Sequence, residues 1–179
     1  MTDTVPLRPA AMNEHEFVDC FGDVYEHSPW VARAVWQSAD HAVLTQAERL
    51  AAAMRQVVEH ADETQQTTLI RAHPDLGGKL AVAGGLSAAS AREQAGAGLD
   101  GCTPEQYERL QALNDAYTRK FGFPFVVAVK GLTREDILAA MQARLDNDGA
   151  TERRRALDEI HQIARFRLAA RLDQEMAGT

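Results

Sequence analysis

FGFPFVVAVKG, residues 121 to 131, is the stretch on which the fold class turns. Gly122 and Pro124 interrupt the helical pattern arriving at Phe121, and the run Phe125 to Val129 is apolar and rich in β-branched residues, the composition of a buried strand. A strand needs a partner. Nowhere else does the chain alternate apolar and polar residues, whereas stripes at helical spacing recur from end to end. The segment of about 123–129 is therefore expected to be a short buried extended stretch within an all-α, single-domain multi-helix bundle. Its N–H and C=O groups must find partners outside a ladder, and a planar, amide-rich ligand suits them. Core filling by Phe121, Phe123 and Phe125 is the structural alternative, and the two can hold together.

On either side, helix starts are marked by their caps. Asn13 with Glu16 forms a capping box before Phe17, Cys20, Phe21, Val24 and Tyr25. Ser28-Pro29 restarts a helix with Trp30, Val31, Ala34 and Val35 inward, and Trp36 is expected in the core rather than at a subunit contact. A helix over 44–61 carries the stripe Leu44, Ala47, Leu50, Ala51, Met54, Val57, Val58, and another over 63–72 leads to His73. Thr103-Pro104 with Gln106 opens a helix to about Lys120 whose buried face is Tyr107, Leu110, Leu113, Tyr117 and Phe121. Asn114 and Asp115, poor helix formers in its middle, are read by default as solvated polar residues, with capping of a neighbouring loop or a subunit contact as the alternatives. Thr133 with Asp136 opens 134–147, with Ile137, Leu138, Met141 and Leu145 inward, and Asn147-Asp148-Gly149 is a turn. The last helix, Thr151 to about Met176, buries Leu157, Ile160, Ile163, Ala164 and Leu168. Residues 1–12 read as an arm laid on the surface.

The chemistry concentrates in RAHPDLGGKLAVAGGLSAASAREQAGAGL, residues 71–99. Pro74 disfavours helical backbone at His73, so the incoming helix stops there and leaves the imidazole on a stiff corner at a helix C-terminus. Gly77, Gly78, Gly84 and Gly85 bracket KLAVA and let the chain turn twice; the spacing is not that of a phosphate-binding loop. Ser90, Glu93, Gln94 and Ala97 fall at i, i+3, i+4 and i+7 on a helix starting near Ser87. One reading is a pocket wall in which Glu93 orients or exchanges protons with His73 while Ser90 and Gln94 hold a polar ligand. The other makes Ser90-x-x-Glu93 a capping box and His73 a helix stop.

Composition bounds the partners. The 179 residues suit one domain, 1–179, and 19 basic against 26 acidic residues give a formal charge of −7 with no basic block, which argues against nucleic acid or an anionic membrane. No run approaches the roughly 18 apolar residues of a membrane span, and the N-terminus lacks a signal peptide's basic start and apolar run. Cys20 and Cys102 have neither disulfide-scaffold numbers nor metal-ligand spacing. A reducing bacterial cytoplasm is the expected home. The histidines other than His73 (His15, His27, His41, His60, His161) form no H-E-x-x-H pattern, which weighs against a metal-dependent hydrolase. A non-catalytic helical binding module stays open on composition alone.

The strings HPDLGGK (73–79), SAREQAGAGLD (90–100), LNDAYTRKFGFPFVVAVKG (113–131) and EIHQIARFRL (159–168) resemble, in order, the 2-oxo-4-hydroxy-4-carboxy-5-ureidoimidazoline (OHCU) decarboxylase family. The resemblance runs from about residue 10 to about residue 172. It implies an all-helical, cofactor-free and metal-free enzyme of urate breakdown, usually a homodimer, that converts OHCU to (S)-allantoin. It also implies His73 and Glu93 as the catalytic pair, with Pro74, Ser90, Gln94, the main chain of Phe125, Val126 and Val127, and Arg167 binding the substrate. Read without the family, Arg167 is a rim arginine whose stem covers apolar surface; the resemblance reverses that preference, with Arg165 as the rival. The double glycine after HPDL and the Ala-rich 81–91 segment depart from the family pattern and bear on local loop shape.

Overall fold

The computed structural model describes residues 9–78 and 83–176. Among them all regular structure is helical: α1 (Glu14–Phe21), α2 (Pro29–Ser38), α3 (Ala47–His60), α4 (Glu63–Arg71), α5 (Ala88–Gly96), α6 (Pro104–Phe121), α7 (Arg134–Arg144) and α8 (Gly149–Met176), with 3-10 turns at Pro9–Ala11, His41–Thr45 and Leu99–Gly101. Segment 124–129 belongs to neither helix nor ladder, and Phe125, Val126, Val127 and Val129 are buried on it, as the sequence leads one to expect. Most of the N-terminal arm and residues 79–82 of the KLAVA run lie outside the described residues.

Contacts divide the chain into two compact units, Met1–Leu69 with His161–Thr179, and Ile70–Ile160. In the first, the Asn13 box is complete: Asn13 Oδ1 accepts from the Glu16 amide at 3.0 Å and Glu16 Oε2 from the Asn13 amide at 2.9 Å. Phe17 then faces inward and meets Phe21 (4.9 Å between centroids) and the half-buried Trp36 (5.3 Å). Pro29 sits at the start of α2, whose buried residues are Val31, Ala32 and Val35, while Trp30 and Ala34 are half-buried. Residues 23–26 are fastened to the C-terminal part of α8 by polar contacts. Tyr25 Oη lies 2.7 Å from His161 Nδ1, Arg167 Nη1 donates to Glu26 Oε2 at 2.8 Å, and Arg171 Nη1 donates to Asp23 Oδ1 at 2.7 Å.

In the second unit α6 is bounded by a Thr103–Gln106 capping box and by Gly122 at φ 75, a left-handed C-cap that glycine adopts without a Cβ penalty. Its buried residues are Leu110, Leu113, Asn114 and Tyr117, but Tyr107, expected on that face, is 36% exposed. Tyr107 occupies the first turn, where the helix has not yet come under the core. The inward residues of α7 are Ile137, Leu138, Met141 and Arg144 rather than Leu145, because the helix stops at Arg144. Asp148 then caps the next helix, accepting from the Thr151 amide at 2.9 Å, which moves the start of α8 back to Gly149.

Asp23 carries a pH signature. Partial burial alone would raise its carboxyl, but the Arg171 hydrogen bond and the Arg171 and Arg167 charges outweigh burial and hold it below the ordinary value. A folded-state value below the unfolded one stabilises above the unfolded value, and the benefit is lost as pH falls through the folded one. Asp23→Asn is expected to lower the unfolding midpoint at pH 7 and to converge with the parent protein as the pH falls through and below the lowered folded-state value; a constant gap across a pH series of thermal melts would refute the pairing.

Candidate functional site

The amide of His73 donates to Ile70 O at 3.1 Å and closes the end of α4, leaving the residue 7% exposed. Pro74 explains the stop: α4 ends at Arg71. The turn that follows has no regular structure, and carboxamides from two helices satisfy its backbone. Gln94 Oε1 of α5 accepts from Gly77 N at 2.8 Å and its Nε2 donates to Asp75 O at 3.4 Å; from α6, Gln111 Nε2 donates to Gly77 O at 2.8 Å and Asn114 Nδ2 to Leu76 O at 2.9 Å. Asn114 thus caps the neighbouring loop, the alternative its placement in mid-helix left open, and it is buried rather than solvated. Its Oδ1 is buried with no hydrogen-bond partner among the described residues.

The same contacts bring the polar face of α5 onto the turn. Ser90 is 4% and Gln94 6% exposed, with Glu93 half-buried. Ser87 is the N-cap, its Oγ accepting from the Ser90 amide at 3.2 Å, so Ser90 stands inside the first turn and Glu93 beyond it. The capping-box reading of Ser90 and Glu93 is therefore overturned: another serine closes this helix start. Near the turn, burial raises the Asp75 carboxyl above its ordinary range, and the charge of Asp115 adds to the shift.

Phe125, Val126 and Val127, at 1%, 4% and 8% exposure, lie in the irregular segment of the same unit. Arg144 Nη1 donates to Val126 O at 2.8 Å, and Ala128 N donates to Glu159 Oε2 at 2.9 Å. Arg144 is itself held by a carboxylate with no exposure: its Nε and Nη2 each lie 2.9 Å from Glu152 Oε2, while Tyr117 Oη donates to the same oxygen and Asn147 Nδ2 to Oε1 at 2.7 Å. The guanidinium stands 4.4 Å from the centroid of the Phe125 ring. Burial, followed by the Glu152 hydrogen bond, raises the Tyr117 phenol above its ordinary value, so it stays a donor.

Arg167 belongs to the other unit, 8% exposed and paired with Glu26, itself 2% exposed. Arg165 is half in solvent and pairs with Glu48 at 2.9 Å. Of the two, Arg167 is the buried one. Among the described residues no three His, Cys, Asp or Glu side chains are grouped so as to hold a metal ion, and no helix is long and apolar enough to cross a membrane. The residues that sequence reasoning missed are Arg144, Glu152, Gln111 and Glu159. Only Arg144 left a trace, standing three residues after Met141 and seven after Ile137, on the apolar stripe of α7.

Comparison with known proteins gives a consistent picture. The family model for OHCU decarboxylase matches residues 10–169. A 2-oxo-4-hydroxy-4-carboxy-5-ureidoimidazoline decarboxylase of Haloferax volcanii is 45% identical over 164 residues, covering 92% of this chain and 94% of the relative. One of Halalkalicoccus jeotgali is 43% identical, covering 87% and 85%. Among solved structures, the crystal structure of (S)-allantoin synthase superposes with a TM-score of 0.74 at 31% identity, over 91% of this chain and 52% of that one.

The clamped turn has a sharp steric requirement. Gly77 has φ 56, and a Cβ there would stand 2.6 Å from Leu110 Cδ2. Left-handed backbone at a residue with a Cβ costs about 1–2 kcal/mol, to which displacement of buried Leu110 adds. Gly77→Ala is expected to lower unfolding free energy by about 1–3 kcal/mol in urea melts; an unchanged midpoint would contradict this geometry.

Proposed function

The chain belongs to the OHCU decarboxylase family, and from that premise we propose that it is a carboxy-lyase converting 2-oxo-4-hydroxy-4-carboxy-5-ureidoimidazoline to (S)-allantoin in urate degradation. The observation that carries the reading is the Gln94 clamp, which ties the turn after His73 to the helix face bearing Ser90 and Glu93. A buried imidazole on a rigid corner, with the turn after it tied to a helix that supplies hydroxyl, carboxyl and carboxamide, suits proton transfer to and from a small polar ring.

The substrate supplies its own electron sink. Its carboxylate is borne by a carbon beside a ring C=N, so the electron pair left when the C–C bond to CO2 breaks is accepted by the conjugated ring. No thiamine, pyridoxal or metal ion is called for. In this reading His73, oriented by Glu93, relays the proton of the neighbouring hydroxyl and then directs a proton to one face of the carbanion, which makes the product chiral. Acid–base help of that kind contributes about 10²- to 10⁴-fold. Ser90, Gln94, Pro74 and the main chain of Phe125, Val126 and Val127 position the ring and its ureido arm. Arg167 as a ligand for the substrate rests on the family resemblance. So does a homodimer, which light scattering would detect as twice the chain mass; a bacterial cytoplasm rests instead on the two cysteines and the absence of a signal-like start in the sequence.

Freshly generated OHCU, added to EDTA-treated protein and followed by circular dichroism, is expected to give (S)-allantoin well above the spontaneous rate. Racemic product at the spontaneous rate would leave a binding module in place of an enzyme. His73→Asn is expected to keep the helical signal while kcat falls by at least about a hundredfold; an active variant removes His73 from the chemistry. Glu93→Ala is expected to lose less and to shift the pH profile, and an unshifted profile counts against the pairing.

A further inference from the structure

A trans peptide is a rigid plane in which C=O of one residue and N–H of the next point in opposite directions, and the described residues contain no cis peptide. Two charged side chains grip consecutive planes of the irregular segment. Arg144 Nη1 holds Val126 O at 2.8 Å, which turns the Val127 N–H away from Arg144; Glu159 Oε2 holds Ala128 N at 2.9 Å, which turns the Val127 C=O away from Glu159. Val127 therefore carries a donor and an acceptor whose directions are both set by side chains outside the segment. An adjacent donor and acceptor on one residue match the acceptor and donor of an amide or ureido edge.

The brace behind Arg144 is stronger than holding one carbonyl requires. Its guanidinium is directed by Glu152, and Glu152 is in turn saturated by Tyr117 and Asn147. A buried ion pair is a poor source of net stability, since apolar side chains of equal volume often do as well. What an apolar side chain cannot supply is a donor of fixed direction aimed at Val126 O. Arginine is suited to this because its planar fork serves the carboxylate on one side and the carbonyl on the other.

We propose that Arg144, braced by Glu152, and Glu159 are positioning residues that orient the Val127 peptide groups to read the amide or ureido edge of the substrate. The proposal rests on the decarboxylase reading, and it assigns to these residues recognition of an edge shared by substrate and product. Arg144→Lys keeps a charge for Glu152 but lacks the fork. It is expected to raise KM for OHCU and the inhibition constant of (S)-allantoin by the same factor, about tenfold, with kcat within about threefold of the parent. Arg144→Met is expected to raise both further. A purely structural role would lower the active fraction, and hence apparent kcat, leaving KM and the inhibition constant alone; that result would overturn the proposal. Should neither Arg144 variant fold, Glu159→Ala decides: a parallel rise in both constants supports the proposal, and two unchanged constants overturn it. If the parent protein itself fails to accelerate OHCU decay, the decarboxylase reading has failed. An active parent with unaltered constants in the variants sinks this proposal alone.

Discussion

Backbone that leaves the helix inside a helical core has no neighbouring strand to bond, so side chains must satisfy its buried N–H and C=O groups. Leaving one such group unpaired costs about 1–3 kcal/mol. Unit Ile70–Ile160 meets the demand twice. The turn over residues 75–77 is held by Gln94, Gln111 and Asn114, and the segment over 126–128 by Arg144 and Glu159. These are also the segments that carry or adjoin the candidate site residues.

The two clamps differ in chemistry because their settings differ. Carboxamides both donate and accept, so Gln94 can bond an amide and a carbonyl of one turn through the two ends of a single side chain. Around Val126 the chain needs a strong donor beside buried Phe125 and Tyr117, and a guanidinium is tolerated there because Glu152 neutralises it and Phe125 offers a ring face. The Tyr117 phenol, pushed upward by burial and by Glu152, stays protonated and completes the shell of the carboxylate. Removing either member of the pair would strand a charge in the interior, at about 3–5 kcal/mol. In the first unit Arg167 and Glu26 follow the same rule on a smaller scale.

For a reaction whose substrate stabilises its own carbanion, the protein's task is placement more than electron withdrawal. Placement calls for site groups on backbone that does not move, and both clamps lock irregular backbone through interactions with helices. His73 gains from this directly: the end of α4 holds it on one side through the Ile70 carbonyl, and on the other Pro74 leads straight into the Gln94-bonded turn.

The helices and most of their caps were legible because a cap is a local event: Asn13 with Glu16, Thr103 with Gln106 and Thr133 with Asp136 each close over three residues. The family, His73 as a corner and the Ser90–Gln94 face were legible for the same reason, since motif and periodicity are properties of neighbours along the chain. Reading failed where a side chain's fate depended on a distant element. Tyr107 shares the spacing of the stripe but stands before the core begins, and Arg144 rather than Leu145 takes the inward position because α7 stops at Arg144. The sequence by itself determined the all-helical class, the family and the stop at His73, because each is written in residues a turn or less apart. Only the tertiary structure decided that Asn114 and Gln111 hold the turn, and that Arg144 and Glu152 direct the Val126 carbonyl. Which of several possible donors reaches a given buried carbonyl depends on how helices pack, and residues far apart in sequence leave no periodic mark of that meeting.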